Sequence, residues 1–224
     1  MHNDLTLSAI AGLCTDMGFS LPDTAVRNLA AYLSLLVRWN RKMNLVGPYE
    51  PEDILRSLVA DSLHLAAFIK ELPLAGEPEC WDLGAGAGLP GLPLRMLWQA
   101  GSYTLVEARE KRSLFLQTVL ASCPLAGTTV FRGRAEAFMP TRPKADLIVS
   151  RAFMPWEKML AFVEPFLSPQ GFCVFLALEP APEALPPGWR CHARQQYAII
   201  NDCRYFWALS REGNAALNGT TQAY

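Results

Sequence analysis

The sequence predicts an α/β protein with a mostly parallel sheet that ends in an antiparallel hairpin, preceded by a helical extension. Three observations predict this class. From residue 79 onward, short apolar runs alternate with stretches of helical periodicity, as in a parallel sheet with crossover helices. The first seventy residues instead repeat their apolar positions at helical spacing. A glycine-rich segment joins the first apolar run to the next helical stretch, a junction at which such sheets bind ligands.

The composition is that of a globular protein in a reducing compartment. The 224 residues are 51% hydrophobic and 18% charged, which supports a sizeable core and excludes a disordered chain. No apolar run reaches the roughly 18 residues that span a bilayer. The amino-terminal residues lack a basic start, so we expect no secretory signal and a cytoplasmic location. The six cysteines include no C-x-x-C pair, and we expect buried free thiols and no metal.

The extension, residues 1–75, is predicted to contain three helices. Apolar residues repeat at helical spacing over 4–17, before a glycine that ends the helix. The second helix is predicted to follow Ser20, a capping residue, and to run to about residue 42. The third is predicted over about 51–70.

The sheet domain is predicted to occupy residues 76–210. We expect its strands at 79–83, 103–107, 128–132, 145–150 and 171–178, with helices near 89–99, 110–122 and 155–167. Adjacent prolines make 179–188 a loop, because proline fits neither a helix interior nor an inner strand. Two further runs, 192–199 and 203–209, are separated by only a few residues and predict a hairpin. Residues 211–224 have no apolar period and are predicted to form a mobile tail.

The glycine-rich segment runs from Asp82 to Gly91 and admits two ligand classes. Gly86-x-Gly88-x-x-Gly91 matches a dinucleotide fingerprint, but it starts too late, because Gly84 already ends the strand. The alternative is the D-x-G-x-G-x-G pattern of S-adenosylmethionine-dependent methyltransferases, and the full register favours it. A third reading is a glycine-rich turn without a ligand.

Glu107, at the end of the second predicted strand, fits both ligand classes. An acid at that place accepts hydrogen bonds from the ribose hydroxyls of a dinucleotide or of S-adenosylmethionine. It therefore supports a nucleoside-containing cofactor without deciding which one.

The basic residues are concentrated in one part of the chain. The net charge is −1, yet residues 109–158 hold nine basic and four acidic side chains, which points to a polyanionic partner. Lys111, Arg112, Arg134 and Arg151 follow the predicted second, third and fourth strands. Because parallel strands end at one edge of a sheet, we expect these four cations to form a collar around the ligand site and to bind nucleic-acid phosphates.

Several motifs resemble those of the bacterial ribosomal RNA small subunit methyltransferase G family, also called glucose-inhibited division protein B. They are W-N-R-K-M-N-L at 39–45, D-S-L at 61–63, D-L-G-A-G-A-G-L-P-G at 82–91, Glu107, Lys111-Arg112, R-A-E at 134–136 and S-R-A-F at 150–153. The Leu-Pro-Gly ending of the glycine segment is unusual among methyltransferases and makes the resemblance specific.

The resemblance implies a Rossmann-like class I methyltransferase fold and methyl transfer from S-adenosylmethionine to N7 of one guanine in small-subunit (16S) ribosomal RNA. The partner would be that RNA or the ribosomal subunit, and we expect a monomer. By matching positions, Gly84, Leu89, Ala135, Glu136 and Arg151 would contact the cofactor, and Glu107 would bind its ribose. The glycine pattern adds Gly86 and Gly88 to the cofactor-binding candidates. Arg151 is also the candidate for positioning the reactants, and Lys111, Arg112 and Arg134 are the candidates for RNA binding.

The chain departs from the family pattern in two places that concern the substrate. Ser57 and Leu58 stand where the family usually has an Arg-His pair, and Leu178-Glu179 stands where a basic residue is usual. Two other readings therefore stay open: a methyltransferase that acts on another substrate, and a ribosome-assembly factor that binds the cofactor without turnover. A nicotinamide oxidoreductase is the more distant alternative.

Methylation at guanine N7 is consistent with the absence of two sequence motifs that methyltransferases use at other atoms. N7 carries a lone pair and no proton in the neutral base, so methyl transfer needs alignment and no general base. Consistently, the sequence has neither the D/N-P-P-Y/F/W motif used on exocyclic amines nor a Pro-Cys dipeptide used at pyrimidine C5.

Overall fold

A computed structural model of the protein describes residues 5–200 and 202–213. The strands are β1 Glu79–Leu83, β2 Ser102–Glu107, β3 Thr128–Arg132, β4 Ala145–Ser150, β5 Leu167–Ala177, β6 Trp189–Ile199 and β7 Asp202–Arg211. They form one sheet in the order β3-β2-β1-β4-β5-β7-β6. β1 to β5 pair in parallel, and β7 pairs antiparallel with both β5 and β6. The predicted fold class and the terminal hairpin are confirmed.

The helices are α1 Leu7–Asp16, α2 Asp23–Met43, α3 Pro51–Ile54, α4 Ala60–Lys70, α5 Gly91–Leu97, α6 Glu110–Ser122, α7 Ala135–Phe138 and α8 Trp156–Val163. A π-helical turn, Leu55–Val59, joins α3 to α4, and 3₁₀ turns Met139–Thr141 and Glu164–Phe166 follow α7 and α8. No helix among the described residues combines the length and apolar character needed to cross a membrane.

Both faces of the sheet are covered, as the alternation of side chains along the strands requires. One apolar core joins buried residues of α1, α2, α4, α5 and α6 to one face, represented by Leu105 and Phe172. The other core joins α7 and α8 to the opposite face, represented by Trp81 and Ile148. The extension helices therefore pack directly on the sheet and share its core.

Several predicted boundaries were wrong for identifiable reasons. β5 begins at Leu167 and not at residue 171, because Leu167 already pairs with Ala145 of β4. The register of the two strands shifts after this pair, and the polar segment 168–171 therefore shows no strand pattern in the sequence. Ser20 does not cap α2: Pro22 occupies the N-cap position, and no side chain caps it. The third predicted helix contains the π turn, and α7 was not predicted at all, since four residues are too few for a visible period.

The predictions for the thiols and the tail also need correction. All six cysteines are free and four are buried, but Cys191 is half-buried and Cys203 is exposed, because both lie on the outer hairpin. Arg211, the first residue of the predicted tail, still belongs to β7 and forms an ion pair with Glu164. Residues 214–224 lie outside the described residues.

Candidate functional site

The glycine segment forms a tight turn between the end of β1 and α5. Gly84, Gly86 and Gly88 all have positive φ, at 76°, 58° and 78°. The backbone N–H groups of Gly84 and Ala85 both donate to the carbonyl oxygen of Val106, at 2.9 and 3.0 Å. The turn is thereby attached to β2, next to the strand end that carries Glu107.

The three glycines serve different contacts. A Cβ at Gly84 would lie 2.5 Å from Cδ2 of Phe153, and one at Gly88 would lie 2.3 Å from Cδ1 of Leu92. For a Cβ at Gly86, the nearest atom would be the carbonyl oxygen of Gly84, at 3.7 Å. Space is therefore available at this position, and only the left-handed backbone favours glycine. Gly84 thus admits a close neighbour at the ligand side, while Gly88 lets α5 pack.

Glu107 connects the end of β2 to the glycine turn. Its side chain is buried, with the residue only 5% exposed. Oε2 accepts a hydrogen bond from the backbone N–H of Gly86 at 2.9 Å, and Oε1 accepts one from the N–H of Arg109 at 2.7 Å. Each carboxylate oxygen has further lone-pair capacity. The carboxylate can therefore hold the loop and still accept hydrogen bonds from a ligand.

A cavity of about 530 Å³ opens beside these groups at the carboxyl edge of the parallel strands. Its lining residues come from the loops after β1, β2, β3 and β4: Gly84, Val106, Glu107, Ala108, Arg109, Arg112, Gly133, Arg134, Ala135, Glu136, Ala152 and Phe153. Six residues singled out from the sequence therefore meet here, namely Gly84, Glu107, Arg112, Arg134, Ala135 and Glu136. We refer to this space as the strand-edge cavity.

The remaining sequence candidates do not line the strand-edge cavity. The backbone N–H of Gly86 donates to Glu107, Gly88 packs against Leu92 of α5, and Leu89 is buried in the core shared with the extension. Lys111 lines a separate cavity, described below. Arg151 directly precedes Ala152 and Phe153, which do line it. Ala152 adopts φ 53°, a conformation that a non-glycine residue seldom adopts outside sites where neighbours enforce it.

Arg151 is directed toward the helical extension. Its Nη2 lies 3.3 Å from Oδ2 of Asp61 on α4. The Asp61 side chain is 2% exposed, and it also accepts hydrogen bonds from Arg204 Nη1 at 2.6 Å and from Tyr197 Oη at 3.0 Å. Asp61 therefore joins α4, β6, β7 and the loop after β4 through one buried carboxylate. No feature of the sequence indicated these partners.

The asparagines of the 39–45 motif have a structural explanation. Asn40 is buried on α2; its Nδ2 donates to the carbonyl of Pro48, and its Oδ1 accepts from the N–H of Val46, both at 2.9 Å. Asn44 caps α2 in the left-handed conformation and accepts a hydrogen bond from Tyr49 Oη. These two residues hold the loop after α2 in one shape, beside Trp39.

Asp82 lies beneath the start of α5, close to the strand-edge cavity but not in its wall. The residue is 2% exposed, and no group among the described residues donates a hydrogen bond of normal geometry to its Oδ2. Burial raises the pKa of Asp82 to about 7. A Cβ at Gly91 would lie 2.4 Å from that oxygen, so Gly91 is required for the carboxyl group to fit.

The four cations of the predicted collar are arranged in three ways. Arg112 and Arg134 line the strand-edge cavity, together with Arg109, which the sequence did not single out. Lys111 points away from it, and Arg151 is paired with Asp61. They share one edge of the sheet, as the parallel topology requires.

The two departures from the family pattern lie away from the cavity wall. The carbonyl of Ser57, in the π turn, accepts a hydrogen bond from Arg204 Nη1 at 3.2 Å. Leu178 is exposed after β5, and the carbonyl of Glu179 accepts from Trp207 Nε1 at 3.1 Å.

The sheet order, the glycine turn and the strand-edge cavity together define a Rossmann-like class I methyltransferase. The family model "GidB: rRNA small subunit methyltransferase G" matches residues 25–183. The chain is 55% identical over 206 residues to the ribosomal RNA small subunit methyltransferase G of Nitratidesulfovibrio vulgaris, covering 92% of this chain and 94% of that protein. The chain belongs to the ribosomal RNA small subunit methyltransferase G family.

Two further comparisons agree, one with the family and one with the fold. The corresponding protein of Oleidesulfovibrio alaskensis is 48% identical over 212 residues, covering 90% of this chain and 92% of the relative. A solved structure from Klebsiella pneumoniae, described as an O-methyltransferase candidate, covers 94% of this chain and 99% of its own, with a TM-score of 0.59 and 13% identity. At that identity the likeness concerns the fold alone.

Proposed function

We propose that this protein transfers a methyl group from S-adenosylmethionine to N7 of a guanine in small-subunit (16S) ribosomal RNA. Family membership supports the reaction and the class of substrate. The observation that carries the cofactor assignment is the position of Glu107: its carboxylate lines the strand-edge cavity and simultaneously accepts the N–H of Gly86 in the glycine turn.

The residues present fit S-adenosylmethionine. Gly84 contributes bare backbone to the cavity wall, and the two buried oxygens of Glu107 suit a pair of ribose hydroxyls. Ala135 and Glu136, at the start of α7, form the adjoining wall for the adenine end. When bound, the cofactor supplies an electrophilic methyl group on a positively charged sulfur. The chain's own part is to bind, to orient and to exclude water.

The ionisable residues that line the strand-edge cavity are compatible with a reaction that needs no proton abstraction. They are two glutamates and three arginines, Glu107, Glu136, Arg109, Arg112 and Arg134. Arginine stays protonated in proteins and cannot act as a base. Guanine N7 needs none, since its lone pair is free in the neutral base. Alignment of the nucleophile with the methyl group is then the main contribution of the site.

The arginines at the cavity also suit the substrate. A guanidinium binds phosphate oxygens with two parallel donors and keeps its charge. Arg112 and Arg134 would hold RNA phosphates at the mouth of the cavity, while the aromatic ring of Phe153 borders the entrance beside Gly84. In this proposal residues 1–75 shape the substrate side of the cleft, and residues 76–210 carry the cofactor.

Transfer of a labelled methyl group tests the proposal. Purified protein is incubated with methyl-labelled S-adenosylmethionine and with small-subunit RNA, both naked and in the assembled subunit. We expect label in the RNA at a site that borohydride and aniline cleave, as N7-methylguanine permits. Binding of S-adenosylhomocysteine with no label in either substrate would instead indicate an assembly factor, and label at a position resistant to cleavage would overturn the N7 assignment.

A further inference from the structure

A second cavity, of about 380 Å³, lies between the carboxyl-terminal half of α2 and the first turn of α6. It is lined by Arg38, Trp39, Lys42, Met43 and Lys111. We call it the α2–α6 groove. Three of its five lining residues are cations and none is acidic, although the whole chain is slightly acidic.

The cations of the α2–α6 groove are available to a ligand. Arg38, Lys42 and Lys111 are exposed, and none of them forms an ion pair with another described residue. Unpaired cations are also common on an ordinary solvent-exposed face of a single helix. Here, however, the cations come from two helices that are far apart in the sequence, and they line one concave surface.

Trp39 gives the groove an aromatic wall held in a fixed orientation. Its ring packs edge-on against the buried Phe115, with 5.6 Å between ring centroids and an interplanar angle of 60°. Trp39 itself is only half-buried, so part of the indole faces the groove. An aromatic ring surrounded by cations is the arrangement that binds single-stranded nucleic acid, since the ring stacks on a base and the cations bind phosphates.

The α2–α6 groove is tied to the strand-edge cavity by the chain itself. Lys111 lines the groove and the next residue, Arg112, lines the cavity. On the other side, Tyr32 Oη of α2 donates to the carbonyl of Ala87 in the glycine turn at 2.9 Å, in a buried contact. α2 is therefore anchored to the loop that borders the cofactor site, and the distance between groove and cavity is fixed.

We propose that the α2–α6 groove binds an unpaired nucleotide of the substrate RNA next to the target guanine, with its base on Trp39 and its phosphates on Arg38, Lys42 and Lys111. The proposal rests on the proposed function and extends it, because it assigns part of the RNA-binding surface to the helical extension. An acidic polypeptide would match the cations but would make no use of the exposed indole face.

Two variants and a matched control test the groove. Arg38→Gln with Lys42→Gln removes two charges from exposed positions; Arg27→Gln with Lys70→Gln removes two from exposed positions outside the groove. Affinity for small-subunit RNA is measured by filter binding with S-adenosylhomocysteine present, over a range of salt concentrations. We expect the double variant Arg38→Gln with Lys42→Gln, the groove pair, to bind RNA about tenfold more weakly. Its plot of log K against log salt should also be less steep by about 1.5, because two phosphate contacts are lost. The double variant Arg27→Gln with Lys70→Gln, the control pair, should change neither the affinity nor the salt dependence.

Trp39→Phe supplies a second readout. Subtracting the fluorescence emission of this variant from that of the unmodified protein gives the emission of Trp39 alone. RNA should quench this Trp39 emission, because a base stacks on the indole ring. Unchanged Trp39 emission at saturating RNA, or equal RNA affinity of the groove pair and the control pair, would overturn the proposal. So would equal competition by oligouridine and by polyglutamate, since that would indicate a general anion site.

The same assays separate this proposal from the proposed function. If the protein methylates RNA but the groove pair binds RNA as the control pair does, the groove assignment fails and the function stands. If the groove pair loses RNA affinity while no methyl group is transferred, the groove assignment stands and the function fails.

Discussion

The guanidinium of Arg151 contacts the buried carboxylate of Asp61, with 3.3 Å between Nη2 and Oδ2. The two residues belong to different parts of the fold: Arg151 follows β4 beside the strand-edge cavity, and Asp61 lies on α4 of the helical extension. Since Asp61 also binds Arg204 and Tyr197, the position of Arg151 depends on the terminal hairpin as well. The extension is thus bonded to the segment that also carries Ala152 and Phe153, two residues of the strand-edge cavity wall.

Asp61→Asn is expected to lower the free energy of unfolding by about 3 kcal/mol, because the change leaves two partly buried guanidinium groups without their counter-charge. Thermal denaturation measures it. Tyr197→Phe is the matched control, since it removes one hydrogen bond to the same carboxylate and should cost only about 1 kcal/mol. Equal melting temperatures for the two variants would show that the ion pairs contribute little.

Glu107→Ala is expected to weaken binding of S-adenosylhomocysteine strongly, since each lost hydrogen bond to the carboxylate is worth about 1.5–3 kcal/mol. Calorimetry measures the affinity, with NAD as the comparison ligand, which we expect to bind weakly or not at all. Glu71→Ala is the control, because Glu71 is an exposed glutamate that does not line the strand-edge cavity. Unchanged affinity with a large fall in melting temperature would make Glu107 a purely structural acid.

Gly88→Ala should destabilise the protein more than Gly86→Ala. Both positions require a left-handed backbone, which costs an alanine about 1–2 kcal/mol. At Gly88 the new Cβ would also lie 2.3 Å from Leu92, and such overpacking adds about 1–3 kcal/mol. Denaturant unfolding of both variants measures the difference. A larger loss for Gly86→Ala would contradict the packing role assigned to Gly88.

The carboxyl group of Asp82 should make stability depend on pH near neutrality. Burial raises its pKa from 3.8 to about 7 in the folded protein, so the folded state binds more protons than the unfolded state between these values. The contribution of Asp82 to the free energy of unfolding is therefore fully present below pH 4. It decreases by up to about 4 kcal/mol as the pH rises to about 7.

Asp82→Asn removes that titration while keeping the shape of the side chain. The variant should gain stability relative to the unmodified protein as the pH is raised from 5 to 8, and denaturant unfolding at several pH values measures this. A stability difference that stays constant over the range would show that Asp82 remains ionised in the folded state throughout.

Local patterns were sufficient to predict most of the fold and the centre of the site. The bounds of β1, β3, β4 and α6 follow from apolar runs and turn residues, which depend on neighbours along the chain. The meeting of Gly84 and Glu107 follows too, because parallel strands end at one edge whatever lies elsewhere in the protein.

Only the tertiary structure decided which candidates share a surface. Lys111 and Arg112 are consecutive in sequence, yet helical geometry turns them toward different cavities. Two of the partners of Asp61, Tyr197 and Arg204, lie on a hairpin more than a hundred residues away, and no local pattern encodes such a pairing. The sequence by itself determined the chemistry of the strand edge. Packing of the helical extension determined where Arg151 points and created the α2–α6 groove, since both depend on contacts between distant segments.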